Sequence, residues 1–421
     1  MTNKDSIKLL PSILKGEIKA PPSKSMSHRA LIAAALSNGI SKISNVAFSE
    51  DIIATIKALE QIGATFKIKK DIVIVKGVKS IKQPHRAVDC NESGSTLRFL
   101  IPIFSLCNKE VIFTGKESLL KRPQTVYEKI FKKKPNYYKN ENDKIMVKGF
   151  LKPKNYIIDG SVSSQFITGL LYSLPLLNGN STIEIVNTLE SKSYIDLTID
   201  MLQEFNIQIK TTENGYLIEG NQVFSPSNYK VEGDYSQAAF FLVGGAINGG
   251  VKVTDLMPES KQGDRAIVDV LSKVNSPVIH MENGLTTVNS NTKGTIVDIS
   301  NCPDLGPIIS LLLCVSKGTS KIINAGRLRI KESDRIESTV QTLSALGANI
   351  KSVNDEIIIQ GKKTLQGGIT VDSYNDHRIA MMISIAASLC ENPVILTNPM
   401  AINKSYPSFY IDYKSIGGII K

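Results

Sequence analysis

The sequence predicts an α/β fold of two similar domains, each built from three βαβαββ repeats, and three observations carry that prediction. First, a pattern of helix end, turn, short strand, polar turn and alternating strand closing on Gly recurs along the chain. It appears in LEQIGATFKIKKDIVIVKG from Leu59, LQEFNIQIKTTENGYLIEG from Leu202 and LSALGANIKSVNDEIIIQG from Leu343. Second, weaker copies begin at Tyr127 and Leu271, so the starts step by roughly 70 residues and 421 residues hold about six units. Third, each unit carries another, more apolar helix, seen in FITGLLYSLPLL, AAFFLVGGAI and IAMMISIAASL. Three units around one core, twice over, make two domains. The boundary falls just before VEGDYSQAAFF, giving 23–230 as the first domain and 1–22 with 231–421 as the second. The sixth unit, near the C-terminus, is too divergent to align.

Bulk composition narrows the function. With 42% hydrophobic residues, 21% charged and no tryptophan, this is the chain of a globular protein. Its start, MTNKDSIKLLPSILKGEIKA, has neither the apolar core of a signal peptide nor the Arg/Ser-rich character of a transit peptide. No apolar run approaches the roughly 20 residues of a membrane span, so a cytoplasmic protein with no membrane partner is expected. Cys90, Cys107, Cys302, Cys314 and Cys390 lack CxxC spacing, which predicts neither a disulfide framework nor a zinc site. The four histidines are equally scattered, so no metal site is expected. A net charge of +11 admits nucleic acid, an acidic surface or small anionic substrates. The longest basic run, Lys132-Lys133-Lys134, reads as a solvated loop, and no RNP-type motif or zinc-finger spacing accompanies it. Nucleic acid is therefore not the expected partner. No apolar interface stripe is evident, and a monomer is expected.

Helix starts are where the polar residues gather. PPSKSMSHRALIAAAL, from Pro21, opens with prolines and serines suited to a first turn, yet places Lys24 and Arg29 near its N-terminus. Cations there oppose the helix dipole, and a bound anion would remove the conflict. The pattern recurs. NESGSTLRFLIPIF offers Gly94, Ser95, Thr96 and Arg98, and DGSVSSQFITGLLYSL offers Ser161, Ser163, Ser164 and Gln165. NCPDLGPIISLLL offers Asp304, RLRIKESDRIESTVQTL offers Lys331, Glu332, Asp334 and Arg335, and YNDHRIAMMISIAASL offers Asp376, His377 and Arg378. Each has a local reading: Ser163, Ser164 or Asp376 as a cap, Asp334 and Arg335 as surface charges. Six such starts in one chain instead predict a cationic, donor-rich cavity, framed as an interdomain cleft. Asp304 and Glu332 among the cations suit general acid–base work. With no Ser-His-Asp order, nucleophile elbow, Walker loop or GxGxxG, the serines of GSVSSQ read as hydroxyl donors.

In the order PPSKSMSHRA, SGSTLRF, DGSVSSQF, RIKESDR, YNDHRIAM and NKSYPSF, these segments resemble the 5-enolpyruvylshikimate-3-phosphate synthase family from Gly16 to Tyr413. The resemblance implies two domains of three βαβαββ units, of the inside-out α/β barrel type. It also implies transfer of the enolpyruvyl group of phosphoenolpyruvate to the 5-hydroxyl of shikimate 3-phosphate, with release of phosphate. No cofactor is implied. By resemblance Lys24, Arg122, Arg335, Arg378 and Lys404 hold phosphoenolpyruvate, with the Gly94 backbone close by and Gln165 touching both substrates. Lys24, Ser25, Arg29, Ser163, Ser164, Ser191, Tyr194 and Lys331 hold shikimate 3-phosphate, with Asp304 on its hydroxyls. Asp304, or Lys24, accepts the hydroxyl proton and Glu332 protonates the methylene; His377 assists by hydrogen bonding or only orients its neighbours.

Some positions depart from the family pattern. Arg327 stands where some members carry Asn, and KRPQTVYEKIFKKK matches poorly beyond Arg122 and Pro123. Gly94 is the small residue associated with sensitivity to glyphosate. Two rivals remain: a sister transferase acting on UDP-N-acetylglucosamine, which generally carries a loop cysteine absent here, and a non-catalytic binder of phosphorylated ligands or nucleic acid.

Overall fold

In the computed structural model the described residues are 6–107, 109–132, 136–141 and 143–421. Lys133 and Lys134 of the basic run, and the first five residues of the N-terminal segment, lie outside them. The chain divides into two compact units, Pro22–Val231, and Met1–Pro21 with Glu232–Lys421.

The 22–231 unit holds three four-stranded sheets, each ordered first, second, fourth, third strand of a repeat. The second repeat shows the logic. Val88–Asp89 runs parallel to Glu110–Thr114, which pairs antiparallel with Lys144–Lys148, itself antiparallel to Tyr137–Asn140. A parallel pair needs a crossover, and helix Gly94–Ser105 supplies it. In the third repeat helix Ser164–Ser173 does the same between Asn155–Asp159 and Ser181–Val186. The first repeat borrows: its opening strand, Asn228–Lys230, comes from the end of the unit and lies parallel to Ile40–Ser44.

The unit containing 232–421 repeats this plan with two borrowed strands. Leu14–Lys19 pairs parallel with Gly249–Thr254 and opens the fourth repeat. Ser6–Leu10 stands in the last sheet between Val394–Thr397 and Ile419–Ile420, antiparallel to both. The expected α/β class with six βαβαββ units is thus borne out as six four-stranded sheets among the described residues. The sixth repeat escapes alignment because one of its central strands lies at the opposite end of the chain.

Each unit encloses its own apolar core, and the crossover helices are its centre. Every residue from Met26 to Leu36 is buried in helix Lys24–Leu36, and every residue from His377 to Ser388 in helix His377–Leu389. A helix apolar on all sides belongs inside. The sheets face outward with one wet side: along Ile40–Ser44 exposed Ile40 and Lys42 alternate with buried Ser41 and Ile43. The residues directly before the six crossover helices are Ser23, Ser93, Ser163, Asp234, Leu305 and Asp376, each 70 or 71 positions after the last, and all but Leu305 cap the helix with a side-chain oxygen.

Left-handed residues punctuate the repeats. Asn45, Asn187, Asp255, Asn324 and Asn398, each directly after a repeat's second strand, have φ between 51° and 62°. Asn and Asp tolerate this region better than other side chains. Two positions past the ends of five second helices stand Gly63, Asn206, Asn275, Gly347 and Gly417, again with positive φ, as helix stops require.

Candidate active site

In the 22–231 unit the polar helix starts fall into three groups. Ser23 caps helix Lys24–Leu36, accepting from the Met26 N–H, which puts Lys24 in the first turn. Its Nζ lies 2.8 Å from Asp51 Oδ2, in the first turn of the neighbouring helix Glu50–Gln61. The dipole conflict read at Lys24 is therefore met in part by a carboxylate that its own helix start favours. Arg29, one turn on, is buried. Its Nε donates to Thr198 Oγ1 at 2.9 Å, Nη1 to the Ser25 carbonyl at 2.8 Å and Nη2 to the Tyr194 carbonyl at 2.8 Å. Arg29 thus fixes Ser25 and Tyr194 against one another.

The third group surrounds Gly94. A Cβ there would lie 3.2 Å from Arg122 Nη1 and 3.5 Å from Gln165 Oε1, so absence of a side chain lets both approach. Arg98 Nη1 donates to Gln165 Oε1 at 2.8 Å, and Gln165 Nε2 donates to Ser95 Oγ at 3.1 Å. Arg98 also holds the Pro123 carbonyl beside Arg122, at 3.0 Å. Ser163 caps the helix that carries Gln165, and Ser164 is buried next to it. Ser191 directly precedes helix Lys192–Glu204 with φ 56° and ψ 42°, a left-handed conformation uncommon for serine.

The 232–421 unit concentrates charge around one side chain. Arg335, in the first turn of helix Arg335–Ala345, is 1% exposed and faces three carboxylates. Nε donates to Asp376 Oδ2 at 2.7 Å, Nη2 to Glu332 Oε2 at 2.7 Å and Nη1 to Asp304 Oδ1 at 2.8 Å. Burial opposes the guanidinium's charge, but Asp376, Glu332 and Asp304 together raise its pKa further. Asp304 in turn faces Lys331 Nζ at 3.1 Å and Arg378 Nη2 at 3.4 Å. Burial would push its carboxyl up, yet Arg378, Lys331 and Arg335 outweigh that and hold it well below the usual carboxylate range. Burial also lowers Lys331, with Asp304 opposing.

Asp376 has two tasks: it caps helix His377–Leu389 by accepting from the Arg378 N–H at 2.9 Å, and it pairs with Arg335. The capping read from the sequence is real, and the pairing lies beyond it. His377 is buried, with Nδ1 3.8 Å from Asp376 Oδ1. Tyr374 and Asn375, just before, both have positive φ, and Lys404 Nζ donates to the Asn375 carbonyl at 2.5 Å. Arg327 lies in the short turn Gly326–Ile330 immediately before Lys331.

Sequence reasoning did not reach Asp51, Glu92 or Asp264. Asp264 is buried and accepts from the Ser236 hydroxyl; burial and the charge of Asp304 push its carboxyl up to about 6. Among the described residues no group of three or more His, Cys, Asp or Glu is arranged to hold a metal ion.

Comparison with known proteins fits this geometry to a family. The sequence profile of EPSP synthase (3-phosphoshikimate 1-carboxyvinyltransferase) matches residues 10–412. A 3-phosphoshikimate 1-carboxyvinyltransferase of Clostridium novyi (strain NT) is 47% identical over 428 residues, covering 99% of this chain and 98% of its own. One of Clostridioides difficile (strain 630) is 44% identical, again covering 99% and 98%. Among solved structures, EPSP synthase from Acinetobacter baumannii matches with a TM-score of 0.82 at 24% identity, over 99% of both chains. The enolpyruvyl transferase NikO from Streptomyces tendae matches with a TM-score of 0.79 at 13% identity, over 99% and 98%. The structures speak for the shared fold, while the profile and the clostridial sequences reach further: the chain belongs to the EPSP synthase (3-phosphoshikimate 1-carboxyvinyltransferase) family.

Proposed function

We propose that this enzyme of the shikimate pathway joins phosphoenolpyruvate to shikimate 3-phosphate through the residues assembled around Arg335 and Gly94. The single observation that carries the reading is the buried Arg335 with Asp304 and Glu332 on its two Nη atoms, and Lys331 and Arg378 beside Asp304. Each substrate brings a phosphate and a carboxylate, about −2.5 to −3 charges apiece, so joining them needs a cationic surround with an acid and a base inside it.

Phosphoenolpyruvate is held by Lys24, Arg122, Arg335, Arg378 and Lys404, with Gly94 and Gln165 close by. Shikimate 3-phosphate is held by Lys24, Ser25, Arg29, Ser163, Ser164, Gln165, Ser191, Tyr194 and Lys331. Arginine suits planar bidentate recognition of carboxylate and phosphate. Asp304, or Lys24, accepts the proton of the 5-hydroxyl as its oxygen attacks the central carbon of phosphoenolpyruvate. Glu332 delivers a proton to the methylene carbon, and a tetrahedral ketal forms. The C–O bond to phosphate then breaks with its electron pair going to phosphate, which leaves with the proton the base took from the hydroxyl, and the methyl proton returns to Glu332. His377 orients Asp376 or hydrogen-bonds within the site.

The resting geometry supports an exchange of partners at Arg335. A carboxylate 2.7 Å from a guanidinium resists protonation. A substrate anion taking that guanidinium's Nη2 edge releases Glu332, which then gains the proton it must deliver. Shikimate 3-phosphate on Lys331 likewise relieves the cationic pressure on Asp304 and strengthens it as a base.

The reading includes a monomer acting in the cytoplasm and, from the small residue at Gly94, sensitivity to glyphosate; inhibition only at millimolar concentrations would overturn the latter. The sister activity on UDP-N-acetylglucosamine is disfavoured by the cysteines. Cys90, Cys302, Cys314 and Cys390 are buried, and burial raises all four thiols. The test is phosphate release from phosphoenolpyruvate with each acceptor. Release with shikimate 3-phosphate alone supports the proposal, release with the nucleotide sugar moves it to the sister reaction, and silence with both overturns it.

A further inference from the structure

Glu92 is a buried carboxylate that the reaction does not use. It directly precedes Ser93, the cap of helix Gly94–Ser105, and its side chain is 2% exposed. One oxygen lies 3.1 Å from Lys116 Nζ and the other accepts from Ser118 Oγ at 2.8 Å. Burying a carboxylate is costly unless charge and hydrogen bonds compensate, and here both do. The backbone reinforces the same seam. Cys90 N–H donates to the Thr114 carbonyl at 2.9 Å and Lys116 N–H to the Asn91 carbonyl at 2.7 Å.

From that seam the chain turns once and reaches Arg122. Leu119 N–H donates to the Lys116 carbonyl at 2.9 Å, and Arg122 N–H to the Leu119 carbonyl at 3.1 Å. The turn 116–122 is thus fastened at one end by Glu92 and carries Arg122 at the other, where Nη1 faces Gly94. The two chain segments whose separation sets the distance from Arg122 to Gly94 are the segments that Glu92 ties together. A hydrogen bond of Arg98 to the Pro123 carbonyl restrains the far side of the turn but not its beginning.

We infer that Glu92 is a positioning residue for Arg122, setting the guanidinium against the start of helix Gly94–Ser105 where phosphoenolpyruvate binds. This rests on the assignment of Arg122 to phosphoenolpyruvate above, and the experiment separates the two. Steady-state kinetics of the full chain are compared for Glu92→Gln, Ser118→Ala, Arg122→Ala and the double variant E92Q/R122A. Glu92→Gln keeps the shape but loses the charge opposite Lys116, and KM for phosphoenolpyruvate is expected to rise roughly tenfold. KM for shikimate 3-phosphate is expected to stay put, and Ser118→Ala, which removes only the hydroxyl half of the clamp, shifts the same constant by less. In the Arg122→Ala background Glu92→Gln is expected to add nothing further. Equal changes in both KM values, or a full effect of Glu92→Gln without the Arg122 side chain, would overturn the inference. An unchanged KM for phosphoenolpyruvate in Arg122→Ala overturns the substrate assignment itself, and this role of Glu92 with it.

Discussion

Arg335 joins three carboxylates that would otherwise repel one another in a buried place. Arg335→Ala takes the guanidinium from buried Asp376 and from Glu332, leaving Asp304 to Lys331 and Arg378, and a loss of about 3–5 kcal/mol in stability is expected on denaturant unfolding. Arg335→Lys keeps the charge but not the planar fork and should fall between that variant and the parent. The two perturbed aspartates respond to pH in opposite senses. Asp304, held below its ordinary range, contributes stability that is present above that range and fades as pH falls through its folded pKa. Asp264, raised to about 6, destabilises the fold increasingly as pH climbs from about 4 through 6. Asp264→Asn should therefore raise the unfolding free energy at pH 8, by on the order of 2–3 kcal/mol, with the gain vanishing near pH 4. A gain independent of pH would show that charge is not the cause. Lys24 and Arg335 were legible because a cation in a helix's first turn is out of place. Asp51 was not, because an acidic residue there is what the dipole already favours, so nothing set it apart. Glu92 and Asp264 carry no local signal either, since their partners are distant in sequence.

At the scale of elements, the repeat was readable because its stops are chemical. The helix ends at IG, FN, VN, LG and IG put Gly or Asn where φ must be positive, and a strand begins two or three positions later, opening a hairpin in the first four of them. Asn206, at φ 64° past helix Lys192–Glu204, tests this. Asn206→Ala should cost about 1 kcal/mol by thermal unfolding while Asn206→Gly stays within a few tenths, because only Ala meets the left-handed penalty. Equal losses would mean that the Asn side chain, not the backbone, is what matters. The sixth repeat was unreadable for a different reason. Self-comparison finds units contiguous in sequence, and this one takes the strand Ser6–Leu10 from the start of the chain to lie between Val394–Thr397 and Ile419–Ile420.

For the whole molecule, the two units differ in what each segment of chain contains. Every strand of the first three sheets lies within 22–231, whereas 232–421 lacks two of its own. A fragment 22–231 is expected to fold alone, with cooperative unfolding by circular dichroism. A fragment 232–421 should not, and should do so once residues 1–21 are supplied in trans; independent folding of 232–421 would refute the importance given to the borrowed strands. The placement of Ser6–Leu10 also sets a timetable on the ribosome. That strand is made long before Val394–Thr397, which must emerge before their ladder can form. At ~5–20 residues per second it waits roughly 20–80 s while the segment 22–231 is completed and free to fold. Through that interval Ser6–Leu10 waits without its ladder partner Val394–Thr397, so slower synthesis lengthens the time for which its backbone edges are exposed.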